Sequence, residues 1–278
     1  MSSVTVFCFN PDGNLIVRRN FTSSEVSTKK ATFALPKTAA GASVEFYAIA
    51  NTPIADNIVT KTALLALTEN TPISYNGTFT KVSSAARRPG GFVMTGAATK
   101  TIAASGTPTE VAVTLRRSVA KIAVQTTLGS GFSNRYLGKV RVNSAVLSRA
   151  ASRGFLVGQT TPNPGAMTFS HTQATVEAAS KFNNQFYTFE NGNLAAGSRL
   201  LLTLNATYDR DGDFATTGDQ APVIYEIELS GGGAGQIVRN GYYRVQVTLD
   251  GLTGADVTAT ITVADWETPV TQAINLGA

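Results

Sequence analysis

The chain has 278 residues, 43% of them hydrophobic and 15% charged, with a formal net charge of +5. That is enough apolar material for one large or two ordinary cores, and too little charge for a chain that stays disordered. One cysteine, Cys8, and one histidine, His171, exclude an internal disulfide and the three- or four-ligand sites of zinc.

Ala, Val, Thr, Ser, Gly and Asn dominate, which favours strands and tight turns. Met1-Ser2-Ser3 leads directly into Val4 to Phe9, apolar on nearly both alternating faces, as in a strand covered on both sides. Cys8 then reads as a small buried hydrophobe. The turn signal Asn10-Pro11-Asp12-Gly13-Asn14 precedes Leu15, Ile16 and Val17, so the two runs form a hairpin. No export segment stands ahead of them; the reading is a cytosolic protein or a form whose export segment has been removed. Strands follow at Ala31 to Leu35 and Val44 to Ala50. Asn57 to Asn70 favours a helix, with Ala63-Leu64-Leu65-Ala66-Leu67 at its centre and Asp56 as N-cap. Pro72 to Gly91 reads as loop, with a turn at Asn76-Gly77 and a basic bend at Arg87-Arg88-Pro89-Gly90-Gly91.

Phe92-Val93-Met94 restarts a strand, and Val111 to Leu115 and Val119 to Val124 form an extended stretch broken by Arg116-Arg117-Ser118. A domain junction is placed there, giving residues 1–116 and 117–278. Beyond it, strands are expected at Lys139 to Leu147, Gln185 to Glu190, Leu200 to Tyr208, Val223 to Leu229, Tyr242 to Leu249 and Val257 to Ala264, with a connection over Gly158 to Ala166. Short strands at this spacing describe sandwiches or barrels.

Catalytic constellations are scarce. His171 lies in the polar stretch Phe169-Ser170-His171-Thr172-Gln173, read as a loop, and no Gly-x-Ser-x-Gly elbow exists. Glu177, Glu190, Glu226 and Glu228 show no pairing of the glycosidase kind, and Glu226 and Glu228 share the wet face of one strand. Asp209-Arg210-Asp211-Gly212-Asp213 offers carboxylates, but without EF-hand spacing it reads as an Asp-Gly turn. Gly231-Gly232-Gly233-Ala234-Gly235 lacks the Lys-Ser/Thr of a phosphate loop. The sequons at Asn20, Asn76 and Asn205 match what an Asn- and Thr-rich chain produces by chance. The basic pairs Arg18-Arg19, Lys29-Lys30, Arg87-Arg88 and Arg116-Arg117 are too scattered for a nucleic-acid face. No catalytic, cofactor-binding or metal site is expected, and the chain is not read as an enzyme.

The tail is the informative segment. After Asp265-Trp266-Glu267, residues 268–276 alternate, with Val270, Gln272, Ile274 and Leu276 on one face. Two readings stand. One is a last edge strand folded back on its own sheet; the other is a strand that completes another molecule's open sheet.

Five segments in order resemble the fimbrillin family, the type V pilins of Bacteroidia. These are Gly91-Phe92-Val93-Met94-Thr95-Gly96, Leu115-Arg116-Arg117-Ser118-Val119-Ala120-Lys121-Ile122, Phe186-Tyr187-Thr188-Phe189-Glu190-Asn191, Ile237-Val238-Arg239-Asn240-Gly241-Tyr242-Tyr243 and Val263-Ala264-Asp265-Trp266. The resemblance implies an all-β fold of two tandem transthyretin-like β-sandwich domains, with one short helix in the first. It also implies a major stalk subunit of a surface fimbrium, or pilus, exported through the outer membrane as a lipidated precursor and supporting adhesion and biofilm formation. In that family an Arg-specific protease removes a first strand, and the groove so opened accepts a neighbour's C-terminal strand. Here the donor is about residues 266–278, with Val270, Gln272, Ile274 and Leu276 as its inward positions. Candidate core residues of the acceptor are Val4, Val6, Phe7, Phe9 and Phe92. The implied partners are other copies in a filament, anchor and tip subunits, and host or bacterial surface ligands. The competing readings are a tip or accessory adhesin binding glycan or protein ligands on the same fold, and a β-sandwich hydrolase.

A strand inserted between two others gains on the order of ten backbone hydrogen bonds at about 0.5–1.5 kcal/mol net each. Burying Val270, Ile274 and Leu276 adds roughly 1.5–3 kcal/mol apiece before ordering costs.

Overall fold

A computed structural model of the chain describes residues 1–70, 75–76, 91–104, 107–162, 164–165, 167–175, 183–231, 234–253, 257–266 and 270–277. The expected hairpin is β1 (Val4–Phe9) and β2 (Leu15–Asn20), paired antiparallel. Its turn closes because Gly13 adopts φ +80°, a conformation open to glycine at no steric cost, while its N–H donates to the Asn10 carbonyl at 2.9 Å.

Helix α1 (Ser23–Thr28) follows. It is short, and a capping box holds its start: Thr22 Oγ1 accepts from the Glu25 N–H and Glu25 Oε2 accepts from the Thr22 N–H. Lys29 ends the helix at φ +59° and turns the chain into β3 (Lys30–Ala34). A 3-10 turn at Lys37–Ala39 leads to β4 (Ser43–Ala50), which pairs with β1.

The helix expected over residues 57–70 is only α2 (Lys61–Leu65), capped by Thr60 Oγ1 rather than by Asp56. The residues ahead of it are committed to strand-like pairing, with the Leu15 N–H on the Val59 carbonyl and a bridge between Asn14 and Thr60. Asp56 instead forms an exposed ion pair with Arg18. After α2 the chain enters β5 (Thr68–Asn70). Most of the Pro72 to Gly91 stretch, with its basic bend, lies outside the described residues.

The remaining elements are β6 (Met94–Thr101), β7 (Thr109–Arg117), β8 (Val119–Leu128), α3 (Phe132–Arg135), β9 (Lys139–Ala151), β10 (Arg153–Phe155) and β11 (Met167–Ala174). After them come β12 (Asn184–Phe189), β13 (Leu200–Asp209), β14 (Gln220–Leu229), β15 (Gly241–Leu249), β16 (Val257–Asp265) and β17 (Val270–Gly277). The structure departs from the sequence expectation in several places. Phe92 and Val93 precede β6 rather than belonging to it, the stretch around His171 is strand β11 rather than a loop, α1 adds a second helix to the first part of the chain, and α3 and β10 are short elements that carry too few residues to show a period.

The fold is all-β. Seven strands before Ser118 and at the C-terminus form one sheet in the order β2-β1-β4-β6-β7-β17-β3. β6 and β7 share only two register pairs, Met94–Arg117 and Thr95–Arg116. Beyond them the sheet folds over, so that Val6, Cys8, Phe46 and Ala48 of one half and Val111, Val113 and Leu115 of the other share one core. The strands cross closely at Gly96, where a Cβ would stand 2.1 Å from the Thr114 carbonyl oxygen. The opposite face of β1 and β4 carries Phe7, Phe9, Tyr47 and Ile49, covered by Ile58, Leu64 and Val157. β1 is therefore buried on both faces, as its apolar run requires.

The rest of the chain builds two four-stranded sheets, β11-β9-β13-β14 and β12-β8-β15-β16, packed around one apolar core that includes Ile122, Leu147, Phe186, Leu202, Tyr225 and Val245. β8 and β15 pair parallel; β5 and β10 make a separate two-stranded ribbon. No helix among the described residues is long and apolar enough to cross a membrane.

Candidate functional site

β7 alternates strictly: Thr109, Val111, Val113 and Leu115 are buried and Glu110, Ala112, Thr114 and Arg116 exposed. In β3 Ala31 is buried and Phe33 half-buried, with Lys30 and Thr32 exposed. β17 runs between these two strands. It pairs antiparallel with β7 through seven residues and parallel with β3 through five. Among the described residues β3 pairs with no other strand, so β17 is what joins it to the sheet.

The tail is thus neither an edge strand nor part of the sheets that precede it in sequence. It crosses to the N-terminal sheet of its own chain and becomes an interior strand. Val270, Gln272, Ile274 and Leu276 stand in register with Leu115, Val113, Val111 and Thr109, the buried row of β7. On the other side Ile274 and Leu276 stand opposite Ala31 and Phe33. All four positions therefore share register with the buried row of β7, and two of them, Ile274 and Leu276, also share register with Ala31 and Phe33 of β3.

The candidate acceptor residues divide three ways. Val4 and Val6 lie in the core between the folded halves of the sheet, and Phe7 and Phe9 lie in the cluster on the other face of β1. Phe92 packs with Tyr75, Val119, Tyr187, Tyr242 and Trp266, where the N-terminal sheet meets the β12-β8-β15-β16 sheet.

That meeting place gathers the five segments singled out in the sequence. Trp266, 4% exposed, contacts Phe92 edge-on at 4.9 Å and stacks on Tyr187 at 5.5 Å. The Arg117 guanidinium lies 4.5 Å over the Trp266 ring, and its Nη1 donates to the Trp266 carbonyl at 2.6 Å and to Asn240 Oδ1 at 3.1 Å. Asn240 adopts φ +60°, and its N–H donates to the Val119 carbonyl. Lys121, fully buried, places Nζ 4.8 Å over Tyr242 and 5.8 Å over Trp266.

A third basic residue stitches the same junction. Arg239 pairs with Glu190 at 2.5 Å, both side chains about nine-tenths buried. It also donates to the Phe155 and Leu156 carbonyls and to Thr95 Oγ1. One guanidinium so binds β6, the end of β10 with the residue after it, and the residue that follows β12. Asn191 Oδ1 accepts from the Ile237 N–H at 2.6 Å, fixing the turn that carries Arg239. Buried Arg, Asn, Glu and Trp inside otherwise apolar segments were the available sequence signal for this junction, but it does not say which partner each takes.

The other candidates sit elsewhere in the fold. Asp209, Asp211 and Asp213 bring carboxylate oxygens within 4.8 Å of one another. Asp209 is buried and accepts from the Gly212 N–H and Gln220 Nε2, while Asp211 and Asp213 accept backbone N–H groups of their own turn. Burial works to raise the Asp209 pKa, but hydrogen bonds from Asp211, Gly212 and Gln220 outweigh it and lower it. Burial pushes the Cys8 thiol up to about 12, leaving no thiolate to react at neutral pH. The His171 ring stacks 6.1 Å from Phe169 on β11. Glu228 pairs with Arg149, and Glu226 is exposed on the same strand. Glu177 lies outside the described residues. The Asn76 amide is spent on the backbone N–H and carbonyl of Tyr187.

Comparison with curated proteins gives no match. Solved structures give the fold. A fimbrilin (FimA) from Porphyromonas gingivalis W83 is similar with TM-score 0.58 and 15% identity, over 96% of this chain and 91% of that one. The tip fimbrial protein Mfa3 from Porphyromonas gingivalis is similar with TM-score 0.58 and 14% identity, over 95% and 94%. A fimbrial assembly protein from Parabacteroides distasonis gives TM-score 0.55 and 15% identity, over 95% and 91%. The family model for fimbrillin-A associated anchor proteins Mfa1 and Mfa2 matches residues 1–271, and the chain belongs to that family.

Proposed function

We propose that the chain is a structural subunit of a surface fimbrium that joins other copies by exchanging β17, the tail of one subunit filling the slot between β7 and β3 of the next. The observation that carries this reading is the position of β17: an interior strand, paired on both sides, at the C-terminal end of the described chain. Withdrawing it leaves two strand edges and an apolar row exposed together. Such a gap is refilled by the same sequence from any copy.

Exchange replaces each contact by an identical one, so it is nearly neutral in contact energy. The balance between a self-closed monomer and a chain of subunits is then set by concentration and by how readily the tail leaves its own slot. Donor and acceptor are different surfaces, so the contact is heterologous and its open product is a filament. In this reading the subunit divides near Ser118 into an acceptor part and a part that launches the donor strand.

Self-closure also supports a second reading, a tip or accessory subunit on the same fold that keeps its slot filled by its own tail. Electron microscopy of the purified chain, with a denaturing gel run on unheated samples, separates the two. Filaments and a ladder of heat-sensitive bands are expected for the exchanging subunit. A uniform monomer under every priming condition, including partial unfolding and refolding at high concentration, would overturn it.

A further inference from the structure

We infer that Arg117 is the positioning residue of the tail: by gripping Trp266 it holds β17 in the chain's own slot, and its release governs exchange between copies. This inference rests on the strand-exchange reading. Arg117 belongs to both partners of the closure. It ends β7, the slot wall, two residues beyond Leu115, which pairs with Val270. It also holds Trp266, the root of the tail, through its carbonyl at 2.6 Å and its ring at 4.5 Å.

Three residues separate Trp266 from Val270, a reach of at most about 14 Å fully extended. While Trp266 stays docked, β17 enters only a slot whose Leu115 end lies within that reach of the donor's own Arg117. The chain's own slot meets the condition. A second copy meets it only by pressing its junction against the donor's. So short a tether also gives the chain's own tail an effective concentration in the ~mM range. A competing copy at lower concentration gains access only when the root of the tail lets go.

The root is also held by the Trp266 N–H on the Asn240 carbonyl at 3.3 Å, by the rings of Phe92 and Tyr187, and by Lys121 Nζ 5.8 Å from the Trp266 ring. Of these contacts, the one from Arg117 comes from the slot wall itself, the end of β7. A planar guanidinium stacks and donates at once; an ammonium does only the second well.

The test uses the full chain and a fluorescent peptide with the sequence of residues 268–278. Arg117→Ala is expected to speed peptide uptake about tenfold and to cut hydrogen-exchange protection of β17 by a similar factor, with β1 and β4 unchanged. Arg117→Lys restores part of both. In a full chain whose tail is disabled by Gln272→Pro, Arg117→Ala changes uptake by less than about twofold, because no tail remains to be held. Protection falling equally in β1, β4 and β17 means that Arg117 only supports the fold, and unchanged protection of β17 means that it does not hold the tail; either overturns the inference. Failure of every chain to take up peptide, Gln272→Pro included, instead overturns strand exchange, while hydrogen exchange on Arg117→Ala still judges the grip.

Discussion

Ile274 of β17 stands in register with Val111 of β7, a buried residue, and on its other side β17 places the same position opposite Ala31 of β3. A carboxylate at this position would share register with two buried apolar residues, where an unpaired charge is costly. Ile274→Asp is expected to weaken filament formation and to loosen the self-closed monomer, by about 2–4 kcal/mol in the closure equilibrium. Thr271→Asp, whose register partner Thr114 is exposed, serves as the control and should cost under about 1 kcal/mol. Chemical denaturation and filament yield measure both. Equal effects of the two substitutions would contradict the register.

Removing residues 268–278 takes away an interior strand rather than a free tail. The two four-stranded sheets, in which β17 is not a strand, are expected to stay folded. β3 loses its strand partner, so hydrogen exchange should report loss of protection in β3 and β7 together, while β13 and β15 stay protected. The truncated chain forms no filaments. Normal filaments from it would remove β17 from any part in assembly.

All strands of the two four-stranded sheets except β11 were legible, β13 and β15 because they alternate between turn signals and β8 and β12 as short apolar runs. Helix α1 was not, since six residues carry no period, although Thr22-x-x-Glu25 is a capping signature that marks its start. β11 is edge-like, with few buried residues beside Phe169 and Gln173, and so resembles a polar loop. The tail's alternation identified a strand but not its destination. Pairing between β17 and β3 joins opposite ends of the chain, and no local pattern encodes which edge receives it. The junction motifs were likewise recognisable as motifs, whereas the grip of Arg117 on Trp266 needs the fold to exist.

Arg239 and Glu190 form an ion pair that is nearly out of water and is shared among three segments. Removing one partner leaves the other charge buried, so Arg239→Met and Glu190→Gln should each destabilise the chain by about 3–5 kcal/mol. The double variant should recover part of that loss, because no lone charge remains. Equilibrium denaturation of all four proteins closes the cycle. Strict additivity would mean that the two side chains act independently.

Acid sensitivity follows from the carboxylates at the other end of the N-terminal sheet. The hydrogen bond from Lys61 holds the Glu45 carboxyl below its ordinary 4.5, against burial, which works to raise it, and with help from the Tyr47 hydroxyl. Glu25 is lowered by the Thr22 backbone N–H, against burial, with further help from the Thr22 hydroxyl and Arg19. Folding favours the ionised form of both groups. Their contribution is present in full above 4.5 and is lost as pH falls through the depressed folded values. Lys61, raised above 10.5 chiefly by its bond to Glu45, loses its share only as pH climbs through its folded value. The melting temperature should therefore decline on acidification below pH 4.5, with little change between there and neutrality from these groups. Glu45→Gln should start lower at neutral pH and fall less steeply in acid. A parallel decline in the two proteins would show that the Glu45–Lys61 pair is not what acid removes.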